Sequence, residues 1–204
     1  MLRHHPDHRS PPGGEVVTRA TEGHPVMHEH EEVFHPWGTV SPAFWGAPAL
    51  ASAEQAGPGA RTPEVLRERL AAIAAAASGG RLRDAAWMAY ELDTEIAAEY
   101  GTEHLNVVHI REVRGHLAHL MGDHAAALGW YLHTARLRAT VQGPRHPDTE
   151  EATRRVYSLW RTVPAQDAHR LGTELLSTVT DIHGPDAPVA LRTRRRLDSL
   201  VRNN

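Results

Sequence analysis

Cysteine and lysine are both missing from this chain of 204 residues. Without a thiol there is no disulfide framework, no thiolate zinc site, no iron–sulfur cluster and no cysteine nucleophile. Without an ε-amine there is no Schiff-base chemistry and no phosphate-binding lysine, since all 22 basic residues are arginine. Aromatic residues make up only 5 % of the chain. No apolar run approaches the ~20 residues of a membrane span. Met1–Pro12 is polar and His-rich and lacks the apolar centre of a secretory signal. No Gly-x-Gly-x-x-Gly, Walker motif or Gly-x-Ser-x-Gly elbow occurs, so no catalytic residue is assigned and the chain is not read as an enzyme. What is present, 41 % hydrophobic residues and a net charge of −3, makes one modest domain. A soluble, cytoplasmic protein with no membrane partner is the expectation.

Composition divides the chain near residue 60. Nine of the fourteen prolines (counting Pro63), seven glycines and seven of the sixteen histidines fall in this first part, where seven acids meet three arginines. Such a stretch buries too little to offset its ordering entropy, so residues 1–60 read as a disordered tail. From Glu64 to Gly143 there is no proline, and Ala, Leu, Glu and Arg dominate. That is helix-forming composition, and residues 61–204 read as an all-α domain.

The strongest signal is internal repetition. Gly59, Gly101, Gly143 and Gly184 are spaced 42, 42 and 41 residues apart. They open Gly59-Ala-Arg-Thr-Pro63, Gly101-Thr-Glu-His-Leu105, Gly143-Pro-Arg-His-Pro147 and Gly184-Pro-Asp-Ala-Pro188. Glycine takes the left-handed conformation that closes a helix, and proline suits the first turn of the next. A second break halves each unit, at Ser78-Gly-Gly80, Met121-Gly-Asp123 and Val163-Pro-Ala165. Each unit is therefore helix, tight turn, helix. Apolar residues recur at helical spacing: Ile110, Val113, Leu117 and Leu120; Ala127, Leu128, Tyr131, Leu132 and Ala135; Ala152, Val156, Leu159 and Val163; Ala168, Leu171, Leu175, Val179 and Ile182. The Ala-rich first unit offers Leu70, Ile73, Ala74 and Ala77, then Ala85, Ala89, Leu92 and Ile96. The last unit, Pro188 to Val201, has only its first helix, which brings the expected total to seven.

The block Gly122-Asp-His-Ala-Ala-Ala127-Leu-Gly-Trp-Tyr131, followed by Gly143-Pro-Arg-His-Pro-Asp-Thr149, resembles a tetratricopeptide (TPR) array of the kinesin-light-chain type. That type has a unit near 42 residues and a Gly-x-x-His-Pro linker. Gly115, Gly122, Ala127 and Tyr131 match its small and aromatic signature positions. Arg114 stands where an apolar residue is usual, Pro164 replaces the turn glycine, and the final unit is half a repeat. The resemblance implies a right-handed α-solenoid of about three and a half repeats, with units near 59–100, 101–142, 143–183 and 184–204. A helical bundle without repeats is the alternative, and three matching spacings oppose it.

In a TPR array five positions of the first helix of each unit face a concave groove. Carried onto this sequence they are His109, Glu112, His116, His119 and Leu120; then Glu151, Arg154, Ser158, Arg161 and Thr162; then Arg192, Arg195, Ser199, Arg202 and Asn203. Spacings of three, four and three place the first four on one helical stripe. The groove is then imidazole-rich in the middle and arginine-rich toward its end. Arginine recognises carboxylate and phosphate through paired hydrogen bonds, so the expected partner is another protein offering an acidic, C-terminal or phosphorylated peptide. The competing reading is a solvated face around Arg194-Arg-Arg196. Clustered imidazoles titrating near pH 6.5 would strengthen binding on acidification.

Two other functions stay open. The His109/Glu112/His116/His119 stripe could serve a metal-binding protein or metal-dependent enzyme, provided a neighbouring helix completes the donor set. A regulatory or effector-sensing subunit is the other. Without such a completed site no cofactor is expected. His28-Glu-His30-Glu-Glu32 lacks zinc-protease spacing. Nucleic acid is disfavoured, because from Arg61 onward 19 arginines meet 18 acids. The tail holds both phenylalanines and two of five tryptophans between Phe34 and Trp45, beside the acids Glu29 to Glu32. Residues 28–45 are read either as docking on the repeats or as a motif for another protein or sticky low-complexity sequence. Self-association through Leu197, Leu200 and Val201 is the last expectation.

Overall fold

The computed structural model describes residues 63–202. Residues 1–62 and 203–204, and with them the tail, Gly59 and Asn203, lie outside the described residues. The described part is all helical and has no strand: α1 Pro63–Ser78, α2 Leu82–Tyr100, α3 Leu105–Leu120, α4 His124–Val141, α5 Pro147–Trp160, α6 Ala165–His183 and α7 Pro188–Arg202. Every break falls where a glycine or proline was read as one.

Local chemistry sets the helix ends. Gly101 and Gly184 close α2 and α6 at φ +83° and +90°, a backbone conformation that side chains with a Cβ disfavour. Each donates its N–H to the carbonyl four residues back, Ala97 and Thr180. The histidine of the linker opens the next helix. His104 Nδ1 accepts from Asn106 N at 3.1 Å and His146 Nδ1 from Asp148 N at 3.2 Å. Imidazole here satisfies an otherwise unpaired N–H of the first turn, as an Asp or Ser cap does elsewhere. Asp123 caps α4 in the usual way, accepting from Ala126 N at 2.9 Å.

The apolar faces assemble two core clusters, one spanning α1 to α3 and one from Ala118 through α4 to α7. Nearly all expected core positions are buried. Three corrections apply. In α1 the buried set is Leu66, Leu70, Ile73 and Ala76, whereas Ala74 and Ala77 are half-buried. Leu120 is exposed at the end of α3, beyond the last residue that the core covers. In α7 Leu197 is buried and Leu200 packs partly on the core, so the expected exposed end face shrinks to Val201.

Close packing rests on two glycines. A Cβ on Gly115 of α3 would lie 3.1 Å from the Tyr131 ring of α4. One on Gly172 of α6 would lie 2.6 Å from Trp160 Cε2 and 2.8 Å from Leu197 Cδ2, where no atom fits. Trp160 is thus clamped between α6 and α7, and its indole N–H donates to the Ala168 carbonyl at 2.6 Å. The main helix contacts join sequence neighbours, with α4 also on α6 and α5 also on α7. No such contact joins α1 or α2 to α5, α6 or α7.

Candidate functional site

The four residues of the α3 stripe share one helical face, as their spacing requires, but they differ from the expected open, titrating set. Glu112 is 2 % exposed. Its carboxylate accepts from Arg138 of α4 through Nε at 2.7 Å and Nη2 at 2.8 Å. Arg138 also reaches Gln142 and Asp148, tying α3, α4 and the start of α5 together. A fork-to-fork pair of this kind occupies both partners. His109 and His116 are buried on either side, and His119 is half-buried with its ring 5.4 Å from that of His124.

Burial, helped by the Arg155 charge, pushes His116 down to about 4. Burial pushes His119 to about 4 as well, with His124 and His116 adding to the effect. Both rings are therefore neutral at pH 7, and the expected gain of positive charge near pH 6.5 is corrected to a much lower pH. The cause is desolvation, which disfavours the imidazolium.

The arginine-rich end is organised differently. Arg154 of α5 and Arg192 of α7 both line a cleft of about 370 Å³, together with Glu150, Thr153, His183 and Val189. Arg154 bridges Glu151 at 3.0 Å and Glu150 at 3.7 Å. The Thr153 hydroxyl and His183 Nε2 lie 3.2 Å apart, and burial lowers the His183 pKa against the opposing pull of Glu150. Ser158 is half-buried on α5; Arg161 and Thr162 are exposed beyond its end, and Thr162 donates to the Leu159 carbonyl. Arg195 and Arg202 are exposed on α7, and Ser199 is half-buried. Arg154 and Arg192 thus come together, whereas Arg161 and Arg195 do not line their cleft.

Ion pairing divides the arginines by position. Arg111, Arg114 and Arg138 are paired across helices, and Arg154, Arg155 and Arg170 within one helix. None of the five arginines of α7 makes an ion pair among the described residues. Arg192 and Arg196 instead lie over the rings of Tyr157 and Trp160, at 5.8 and 5.7 Å.

One cluster escaped sequence reasoning. Asp93 of α2, 5 % exposed, accepts from Arg111 at 3.1 Å and also pairs with Arg114. Arg114 lies 4.0 Å from the Trp130 ring centroid and 5.3 Å from that of Tyr90, while Arg111 reaches His133 at 2.9 Å. Arg114 is thus held between two aromatic rings with its charge met by a buried carboxylate. The signal available was a pair of charges, Asp93 and Arg114, on core-facing registers of consecutive helices.

Among the described residues no three His, Cys, Asp or Glu side chains converge as metal donors, and the His28–Glu32 set lies outside them. No described helix is long and apolar enough to cross a membrane. No protein-family model matches the chain, and no curated protein matches it.

Proposed function

We propose that this chain is a non-catalytic interaction adaptor, a TPR-like solenoid whose arginine-rich end binds an acidic, C-terminal or phosphorylated peptide of another protein. The observation that carries the reading is the cleft between α5 and α7, lined by Arg154 and Arg192, the latter on a helix whose arginines have no acid partner among the described residues. The short-range helix contacts and the 42-residue glycine spacing support the solenoid part of the reading. In the cleft the exposed Arg192 lies over the Tyr157 ring, which pre-organises its guanidinium for carboxylate or phosphate oxygens.

The test is fluorescence anisotropy of the full chain with labelled hexaglutamate carrying a free or an amidated C-terminus, with inorganic phosphate as competitor. Binding should weaken at least tenfold in Arg154→Ala/Arg192→Ala and fall as salt rises. A larger loss on amidation would assign the site to a chain terminus, and competition by phosphate to a phosphorylated motif. Equal binding by wild type and the double variant would overturn the site. The same reading gives the tail a role: Glu29 to Glu32 and the aromatic stretch up to Trp45 compete for the arginines. Deleting residues 1–50 should then raise hexaglutamate affinity, and an unchanged affinity would remove the tail from the account.

A further inference from the structure

Two exposed surfaces remain that neither the core nor the arginine cleft uses, and their chemistries are complementary. The first is on α2. Trp87 is 61 % exposed and Tyr90 47 %, with ring centroids 5.6 Å apart. Asp84 and Glu91 flank Trp87 at positions i−3 and i+4, on the same helical face, and both are exposed without an ion pair among the described residues. Between Pro63 and His104 eight acids meet four arginines. Two adjacent aromatic rings bordered by free carboxylates form a receptor for guanidinium, which stacks on the rings and pairs with the acids.

The second surface is on α7. Arg194, Arg195 and Arg202 are exposed away from Tyr157 and Trp160, and Val201 beside them is 62 % exposed. Five arginines and one acid lie between Pro188 and Arg202. The molecule itself shows that this chemistry holds helices together, since Arg114 bridges Tyr90 and Trp130, and Arg192 and Arg196 cover Tyr157 and Trp160. The remaining arginines of α7 lack such a seat, and in the α2 pair Arg114 of the same copy takes only the Tyr90 ring, which leaves the exposed Trp87 ring without such an occupant among the described residues.

We infer that α7 of one copy docks on the Asp84–Trp87–Tyr90–Glu91 face of a second copy of this chain. The two surfaces belong to different helices and α7 makes no main contact with α2 of its own copy. The contact is therefore heterologous, head to tail, and an open assembly keeps one free surface of each kind, the α2 face at one end and α7 at the other. This inference is independent of the peptide cleft, because it uses Arg194 and Arg202 rather than Arg154 and Arg192.

Sedimentation velocity of the full chain tests it. At low ionic strength the average mass should rise with protein concentration, and it should fall back toward the monomer at about 0.5 M salt. Trp87→Ala and Arg194→Glu/Arg202→Glu should each be monomeric with unchanged helical circular dichroism, since all three side chains are exposed. Mixed, they should form a one-to-one dimer that grows no further, because Trp87→Ala retains its α7 surface and the charge-reversed chain retains its α2 surface. A wild type that stays monomeric at every concentration would overturn the inference. So would association that survives both variants, or a mixture that stays monomeric, which would mean that the two faces do not meet.

Discussion

Helices α3 and α7 each follow a helix closed by a glycine, Gly101 and Gly184, and each carry a row of polar residues at helical spacing, yet the two rows end in opposite states. On α3, Glu112 is sealed into a two-pronged pair with Arg138, and His116 and His119 are held neutral by burial. On α7, the arginines stay exposed, without an acid partner among the described residues. A polar stripe read from spacing alone is therefore not yet a binding surface. What decides is whether neighbouring helices supply the counter-charge. Where α4 offers Arg138, the stripe becomes part of the scaffold; on α7, to which no described helix offers an acid, the charges remain available.

Breaking the committed charges should cost the most. Arg138→Ala strands Glu112 without its partner and should destabilise the fold by about 3–5 kcal/mol, read as a lower urea midpoint. Closing the space over Trp160 comes next. Gly172→Ala forces a methyl into the Trp160 and Leu197 side chains and should cost about 1–3 kcal/mol in the same measurement.

Acid should act on the α3 side of the comparison. Because folding depresses the His116 and His119 pKa values to about 4, their contribution to stability is fully present above the unfolded value near 6.5. It is lost as pH falls from there toward 4. The urea midpoint should drop across that window, and His116→Gln should flatten the drop; a midpoint independent of pH between 6.5 and 4 would contradict the burial account. On the α7 side, Arg195→Ala should change stability by less than about 0.5 kcal/mol, as expected of an exposed residue without an ion pair.

The helical layout was legible because its signals are local. Glycine at 42-residue intervals marks the helix ends, and branched and aromatic residues mark the buried face. The Ala-rich first helix misled, since alanine is compatible with either side of a helix, and only Leu66, Leu70 and Ile73 fix its register. His104 and His146 were read as part of a linker pattern, whereas their physical work is to cap α3 and α5 through Nδ1. That role was hidden because imidazole stands outside the usual set of caps. The Asp93–Arg111–Arg114 cluster was illegible for a different reason. Its partners are separated by 18 and 21 residues, and their meeting depends on how α2 lies against α3. The candidate site was half legible: the resemblance put Arg154 and Arg192 among its expected binding positions, and they line one cleft, but it could not separate them from Glu112, whose fate depends on the arginine that α4 provides.

The division between committed and available charge is tested most directly by measuring urea stability and hexaglutamate affinity on the same two full-length variants. Arg138→Ala should lose stability by several kcal/mol and, at temperatures where it remains folded, keep the affinity of the wild type within about twofold. Arg154→Ala/Arg161→Ala/Arg192→Ala/Arg195→Ala should keep its urea midpoint and lose at least tenfold in affinity. The opposite pattern, with binding lost in Arg138→Ala and retained in the quadruple variant, would contradict the account and move the binding surface to α3.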